Sequence, residues 1–130
     1  MESKWAKTPR TVAVDYDGTL HPYNGGWSGV VPKDEPPTPG ALEAMRALKI
    51  KGYQIIIFSV RASVPEGVKG IQDWLVKYGL APFIDGVTAE KPHAVAYIDD
   101  RGVPFTGNWF AALRGVYALD AKEKKLGEDL

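Results

Sequence analysis

Five short apolar runs, separated by polar or glycine-containing stretches, dominate the hydrophobic pattern of the chain. Runs of roughly four to eight apolar residues, rich in β-branched side chains and bounded by turn residues, are typical of buried strands. The pattern therefore predicts about five strands, at residues 11–14, 54–58, 83–87, 95–98 and 116–119.

Apolar residues at helical spacing separate the first two predicted strands. Leu42, Met45 and Leu48 mark one face of a first helix, which we expect to begin near Thr38 and to end at Gly52. Glycine suits the position after a helix because it adopts left-handed backbone angles without strain.

Two further helices are predicted from their capping residues. Ser63 and Glu66 have the spacing of a capping box and predict a helix that ends at Gly79. Asn108 is a favourable N-cap for a third helix that extends through Leu113. Strands that alternate with helices form parallel sheets with right-handed crossovers. We therefore predict an α/β fold of the three-layer, Rossmann-like type with a central parallel sheet.

The composition is that of a single globular domain. The chain has 130 residues, of which 45% are hydrophobic and 25% are charged. This size allows one hydrophobic core. We expect one domain over residues 1–130, with its core over about 11–119 and a charged, solvated tail over 120–130.

Charge and apolar run length argue against several classes of protein. The formal net charge is zero, which gives no general attraction to nucleic acid or to an anionic membrane. No run approaches the roughly 18 consecutive apolar residues of a membrane span, and the first ten residues lack the apolar core of a secretory signal. The chain has no cysteine, which excludes disulfides and thiolate metal sites. We expect a cytoplasmic protein without membrane contact.

Two aspartates follow the first predicted strand, in the segment VAVDYDGTL at residues 12–20. Asp15 ends the strand and Asp17 lies on the bend before Gly18, so both carboxylates can converge at the carboxyl end of the strand. Two carboxylates at close range repel each other unless a cation neutralises them. Because oxygen-only ligands favour Mg²⁺, the pair predicts a magnesium site.

Further polar groups follow the later strands. Ser59 follows the run QIIIF, Lys91 lies in the segment AEKP, and Asp99 and Asp100 follow the run AVAYI. In parallel α/β sheets, binding sites lie at the carboxyl ends of the strands. We therefore expect Asp15, Ser59 and Asp99 to meet at one edge of the sheet.

Four segments resemble, in the same order, the four motifs of the haloacid dehalogenase superfamily over about residues 11–117. They are DYDGT, the serine of FSV, the lysine of EKP and the aspartates of IDD. The resemblance implies a magnesium-dependent phosphomonoester hydrolase that acts on a phosphorylated substrate. Asp15 would be the nucleophile that forms an aspartyl phosphate, and Asp17 would protonate the leaving group and then activate water. Ser59 and Lys91 would bind the phosphoryl oxygens.

The resemblance also implies further ligands. The predicted metal ligands are Asp15, Asp17, Asp99 and Asp100. Gly18 and Thr19 are expected to contact the substrate. Arg61 and Arg101 each follow a motif closely enough to reach a bound phosphate, which a guanidinium recognises well, although a surface ion pair is the alternative for both. IDDR and Arg61 together also resemble the polynucleotide 3'-phosphatase domain of phage end-healing enzymes.

A glycine- and proline-rich stretch at 21–39 has neither helical nor strand periodicity and predicts a long loop. Loops of this length are usually functional or disordered. Trp27 in this loop can cover the site or stack on a substrate. His21 and His93 neighbour motifs and are expected only to line the site, because the superfamily pattern needs no histidine.

The gaps between the motifs leave no room for a cap domain. Capless members of the superfamily generally have open sites, which suit large substrates or are closed by a partner subunit, so a macromolecular substrate and an oligomer are both compatible with the chain. One alternative is a 3'-phosphatase on nucleic-acid ends, against which the zero net charge argues. Another is a non-catalytic phospho-accepting or binding domain, although receiver domains carry these acidic motifs in the reverse order.

Overall fold

The structure, a computed structural model, describes residues 10–92, 94–99 and 103–128. The strands are β1 (Thr11–Asp15), β2 (Gln54–Phe58), β3 (Gly86–Thr88) and β4 (Ala96–Ile98). The helices are α1 (Ala41–Ile50), α2 (Pro65–Lys77) and α3 (Trp109–Glu128), with short 3₁₀ helices at Val60–Ser63 and Ala81–Phe83. Among the described residues, no helix has both the length and the apolar character needed to cross a membrane.

The four strands form one parallel sheet in the order β3-β2-β1-β4. The predicted α/β class and parallel sheet are confirmed, and the arrangement is compatible with a Rossmann-like fold. β1 is central, and the side chains of Val12, Ala13 and Val14 are fully buried. Because β1 pairs with β2 on one side and with β4 on the other, the residue at its end lies between the ends of those two strands. Here that residue is Asp15.

The predicted fifth strand at 116–119 is wrong, because these residues lie inside α3. Trp109, Ala112, Val116 and Asp120 are buried, which is the three- and four-residue spacing of one helix face. The apolar run VYAL resembled a strand because a short run does not by itself distinguish the two periodicities. Among the described residues the sheet therefore has four strands rather than five. Residues 120–128 of the expected charged tail belong to α3, and Asp120 is buried.

Helix termini follow the predicted capping chemistry in part. The Asn108 side-chain oxygen accepts a hydrogen bond from the Ala111 N–H at 3.2 Å, as expected of an N-cap. Gly52 and Gly79 follow α1 and α2 with φ of 91° and 77°. The capping box at Ser63 is wrong, because its hydroxyl donates to the Val60 carbonyl and the helix begins at residue 65.

The beginnings of two other elements differ from prediction. α1 begins at Ala41 rather than near Thr38, because the Thr38 hydroxyl donates to the Thr19 carbonyl at 2.7 Å and holds that residue in the loop. β3 begins at Gly86 rather than at Phe83, which lies in a 3₁₀ helix. Leu42 remains 38% exposed, whereas Met45 and Leu48 are buried as predicted.

Candidate active site at the carboxyl edge of the sheet

Three predicted site residues lie at the carboxyl ends of three adjacent strands. Asp15 ends β1 and pairs in register with Phe58, the last residue of β2, so Ser59 is the next residue along. Val14 pairs with Ile98, so Asp99 follows the last residue of β4 at the level of Asp15. The structure therefore brings Asp15, Ser59 and Asp99 to one edge, as the sequence predicts for a parallel sheet.

A tight turn after β1 directs the second aspartate to the same edge. Tyr16 is fully buried, and its carbonyl accepts the His21 N–H at 2.9 Å. Gly18 has a φ of 78° and donates its N–H to the His21 carbonyl at 2.9 Å. Because the left-handed conformation at Gly18 favours glycine, the DG pair allows the turn that places Asp17 beside the strand end. Thr19 is buried, whereas Gly18 is exposed on the turn.

Arg61 holds the Asp17 carboxylate in a forked ion pair. Its Nε lies 3.1 and 3.2 Å from the two carboxylate oxygens, and its Nη2 lies 3.0 Å from Oδ1. The Arg61 side chain is 1% exposed and that of Asp17 is 20% exposed. The Ser59 hydroxyl lies 3.5 Å from Asp17 Oδ2 and accepts the Arg61 backbone N–H at 3.2 Å. Of the two predicted roles of Arg61, this structure contains the ion pair, although the pair lies at the candidate site rather than on the surface.

The predicted long loop packs onto Arg61 through atoms that do not contact Asp17. Arg61 Nη1 donates to the carbonyls of Gly29 and Val30, and the guanidinium carbon lies 4.4 Å from the centre of the Trp27 ring. The two loop carbonyls accept the Nη1–H donors, which do not reach the Asp17 carboxylate. A buried guanidinium needs such acceptors for its N–H groups.

Gly67 in α2 permits the close approach of this helix to Arg61. A Cβ atom at Gly67 would lie 1.7 Å from the Arg61 carbonyl oxygen. No larger side chain fits there without moving either the helix or the backbone of Arg61. The sequence gives no sign of this requirement, because it comes from a contact between α2 and the preceding 3₁₀ helix.

A second ion pair lies beside β4. Lys91 Nζ is 2.7 Å from Asp99 Oδ2, and the Asp99 side chain is 5% exposed. The Lys91 ammonium also lies over the Tyr97 ring at 4.4 Å. The pairing brings the lysine of the predicted third motif to an aspartate of the fourth. Lys91 itself remains 39% exposed, so its charge is accessible from outside the protein.

His21 anchors the long loop rather than lining an open site. It is buried, its Nδ1 accepts the Tyr23 N–H at 2.9 Å, and its Nε2 lies 2.8 Å from the Lys33 carbonyl. Accepting at Nδ1 while donating at Nε2 requires the neutral Nε2–H tautomer. Both ring nitrogens are thus used for loop structure.

Tyr16 is excluded as a base at this site. Burial, and to a smaller extent the Asp17 carboxylate, raises the pKa of the Tyr16 phenol far above its ordinary value, although Arg61 partly opposes the shift. The phenol therefore stays protonated at physiological pH.

The donors at this edge fit Mg²⁺ in chemical type, because carboxylate oxygens are the ligands that this ion prefers. In the described part of the chain, no group of three or more His, Asp or Glu side chains is arranged to hold a metal ion. The predicted ligands Asp15 and Asp99 lie at the ends of adjacent strands, Asp99 is paired with Lys91 and Asp17 with Arg61, and the metal contacts of all three stay predictions. The predicted ligand Asp100 lies outside the described residues, as do Arg101 and His93.

In comparisons with known proteins, no family model, no curated protein and no solved structure matches the chain.

Proposed function

We propose that this protein is a magnesium-dependent phosphomonoester hydrolase of the haloacid dehalogenase type, with a capless Rossmann-like fold. The observation that carries the proposal is the meeting of Asp15, Ser59 and Asp99 at the ends of three adjacent parallel strands. The Lys91 ammonium, paired with Asp99, and the Arg61 guanidinium, paired with Asp17, add two positive charges at the same edge. Phosphoryl transfer depends mainly on such positioning and charge stabilisation.

Asp15 is the proposed nucleophile. One of its carboxylate oxygens attacks phosphorus, the new O–P bond forms, and the bond from phosphorus to the ester oxygen breaks. The leaving oxygen takes a proton from Asp17, which then accepts a proton from the water that attacks the aspartyl phosphate. This second attack releases inorganic phosphate and restores the Asp15 carboxylate. Mg²⁺, held by Asp15, Asp99 and the predicted ligand Asp100, would neutralise charge on the phosphoryl oxygens.

Arg61 must change partners during this reaction. A general acid has to carry a proton, whereas a carboxylate held by a guanidinium fork acts as an ionised acceptor. A phosphate group offers the same guanidinium an equivalent pair of oxygens. We therefore assign to Arg61 a transfer from Asp17 to the arriving phosphate, which leaves Asp17 able to take up a proton. Arg61 would thus have both of the roles that the sequence leaves open, first in an ion pair and then in phosphate binding.

Ser59 and Lys91 complete the proposed phosphate site. The Ser59 hydroxyl accepts the Arg61 backbone N–H and donates at 3.5 Å to Asp17 Oδ2, and we assign this proton to a phosphoryl oxygen once the substrate binds. Lys91 supplies a charge that is exposed on one side and held by Asp99 on the other. Both groups would donate to the equatorial oxygens of the phosphoryl group in the transition state.

The test is phosphate release from p-nitrophenyl phosphate and from a panel of phosphorylated metabolites and oligonucleotides, with Mg²⁺ and with chelator. We expect magnesium-dependent release by the wild-type protein and none by the Asp15→Asn variant. The matched control is Asp73→Asn, which removes an exposed carboxylate on α2 and should leave the rate unchanged. Equal activity of Asp15→Asn and wild type would overturn the proposal.

The same panel separates the alternatives. Release from 3'-phosphorylated oligonucleotides alone would select the nucleic-acid-end phosphatase. Magnesium-dependent phosphorylation of Asp15 without turnover would select the phospho-accepting domain. Asp17→Asn should slow alkyl phosphates more than aryl phosphates, because poor leaving groups depend more on the acid. Equal losses on the two classes would argue against Asp17 as the general acid.

A further inference from the structure

An exposed indole lies next to the proposed phosphate site. Trp27 is 53% exposed, and its ring lies over the Arg61 guanidinium, with 4.4 Å between the ring centre and the guanidinium carbon. The Nη2 atom of the same guanidinium lies 3.0 Å from Asp17 Oδ1. The Arg61 side chain therefore contacts both the indole and the proposed general acid.

The position of Trp27 is fixed by contacts on both sides of it in the chain. After Trp27, the carbonyls of Gly29 and Val30 accept hydrogen bonds from Arg61. Before it, the turn that begins at His21 is held by the bonds of that imidazole. An aromatic side chain on an anchored loop loses little freedom when a ligand stacks on it, which favours binding.

A second apolar side chain is exposed at the same rim. Val60 lies between Ser59 and Arg61, the two residues that contact Asp17, and is 70% exposed. The segments that contact Asp17 and Arg61 thus carry an indole and an isopropyl group that the protein does not bury. Exposed apolar surface beside a polar site is a common mark of ligand recognition.

We propose that Trp27 is a specificity-determining residue that stacks on a flat aromatic ring in the alcohol part of the substrate; this inference rests on the proposed phosphatase function. The indole lies against the guanidinium that we assign to the arriving phosphate, so a ring stacked on the indole is separated from phosphorus by both groups. A ring joined directly to the ester oxygen would lie beside Asp17 and not on Trp27. The substrate class is therefore a phosphate ester whose ring is separated from phosphorus by a spacer, as a base is by the sugar of a nucleotide.

The experiment compares two substrates with the same primary phosphate ester, adenosine 5'-monophosphate and ribose 5-phosphate, in which a hydroxyl group replaces the aromatic base. We expect the wild-type kcat/KM to be about tenfold or more higher for the nucleotide, the size of one base–aromatic stacking contact. The ratio of the two kcat/KM values is the readout, because a general loss of activity cancels in it.

Variants of two exposed aromatic residues test whether the preference for the nucleotide depends on Trp27 in particular. Trp27→Ala should reduce the ratio to near one, and Trp27→Phe should keep most of it, because a phenyl ring still stacks. Phe110→Ala is the matched control, since Phe110 is 80% exposed on α3 and should leave the ratio unchanged. A ratio that Trp27→Ala does not lower would overturn the inference.

Binding measured by calorimetry in chelator, without turnover, separates this inference from the proposed function. Turnover of both substrates by the wild-type protein with equal kcat/KM would support the phosphatase function and overturn the role of Trp27. Trp27-dependent binding of adenosine 5'-monophosphate, with no phosphate release from it or from any other member of the substrate panel, would support the stacking site and overturn the phosphatase. A short 3'-phosphorylated oligonucleotide in the same assay distinguishes a strand end from a free nucleotide as the source of the ring.

Discussion

Removing the Arg61 guanidinium should destabilise the fold, and the structure sets the size of the effect. Arg61→Met keeps the apolar stem of this 1%-exposed side chain but leaves the Asp17 carboxylate and the loop carbonyls of Gly29 and Val30 without their donors. Removal of one partner from a buried ion pair costs roughly 3–5 kcal/mol. Asp17 retains 20% exposure and recovers some hydration, so we expect the lower end, about 3 kcal/mol.

A double-mutant cycle measures the interaction itself. Asp17→Asn should cost about 2 kcal/mol, and the variant with both changes should be more stable than the sum of the single losses by about 1 kcal/mol or more, since neither charge then lacks its partner. The assay is urea unfolding followed by circular dichroism, with unfolding free energies extrapolated to water.

An exposed ion pair provides the control for this cycle. Lys69 and Asp73 pair across one turn of α2 with side chains 76% and 65% exposed. Their cycle, with Lys69→Met and Asp73→Asn, should give at most about 0.5 kcal/mol of coupling. Strict additivity of the Arg61 and Asp17 losses would refute the conclusion that this pair organises the site.

Three further variants test separate features. Gly67→Ala places a methyl group 1.7 Å from the Arg61 carbonyl oxygen. In urea unfolding it should cost more than about 2 kcal/mol, the scale of core overpacking. An effect within about 0.5 kcal/mol, the scale of a neutral surface change, would contradict the packing described. Asn108→Ala removes the cap of α3 and should cost about 1 kcal/mol, whereas Asn108→Ser should restore most of it. Burial, with the hydrogen bond to Asp120, raises the pKa of Tyr53 above its ordinary 10.0, so the stability that this phenol contributes is present below pH 10 and is lost as the pH rises further. Tyr53→Phe should therefore lose less stability between pH 9 and 11 than wild type, and parallel pH curves would count against this linkage.

The position of the site could be predicted from sequence because it depends on topology alone. Parallel strands place their carboxyl ends at one edge, so the polar residues after the runs ending at Val14, Phe58 and Ile98 had to meet once those runs were recognised as strands. The Asn108 cap and the glycines that end α1 and α2 were also predictable, because they are local requirements of the backbone.

The contacts that organise the site could not be predicted in the same way. Arg61 lies 44 residues from Asp17 and 32 from Gly29, and no local pattern relates these positions. The interaction of Trp27 with the Arg61 guanidinium likewise depends on the path of a loop without periodicity. The residues 116–119 were misassigned for a different reason, since a four-residue apolar run fits both a strand and one face of a helix.

The central claim is that Asp15 forms a covalent phosphoryl intermediate, and acid quenching during turnover followed by peptide mass spectrometry tests it most directly. We expect one added phosphoryl group on the peptide that carries Asp15, in greater amount in Asp17→Asn, where hydrolysis of the intermediate should be slow, and none in Asp15→Asn. Phosphate release that proceeds without any phosphoryl adduct on Asp15, and that survives Asp15→Asn, would contradict the account.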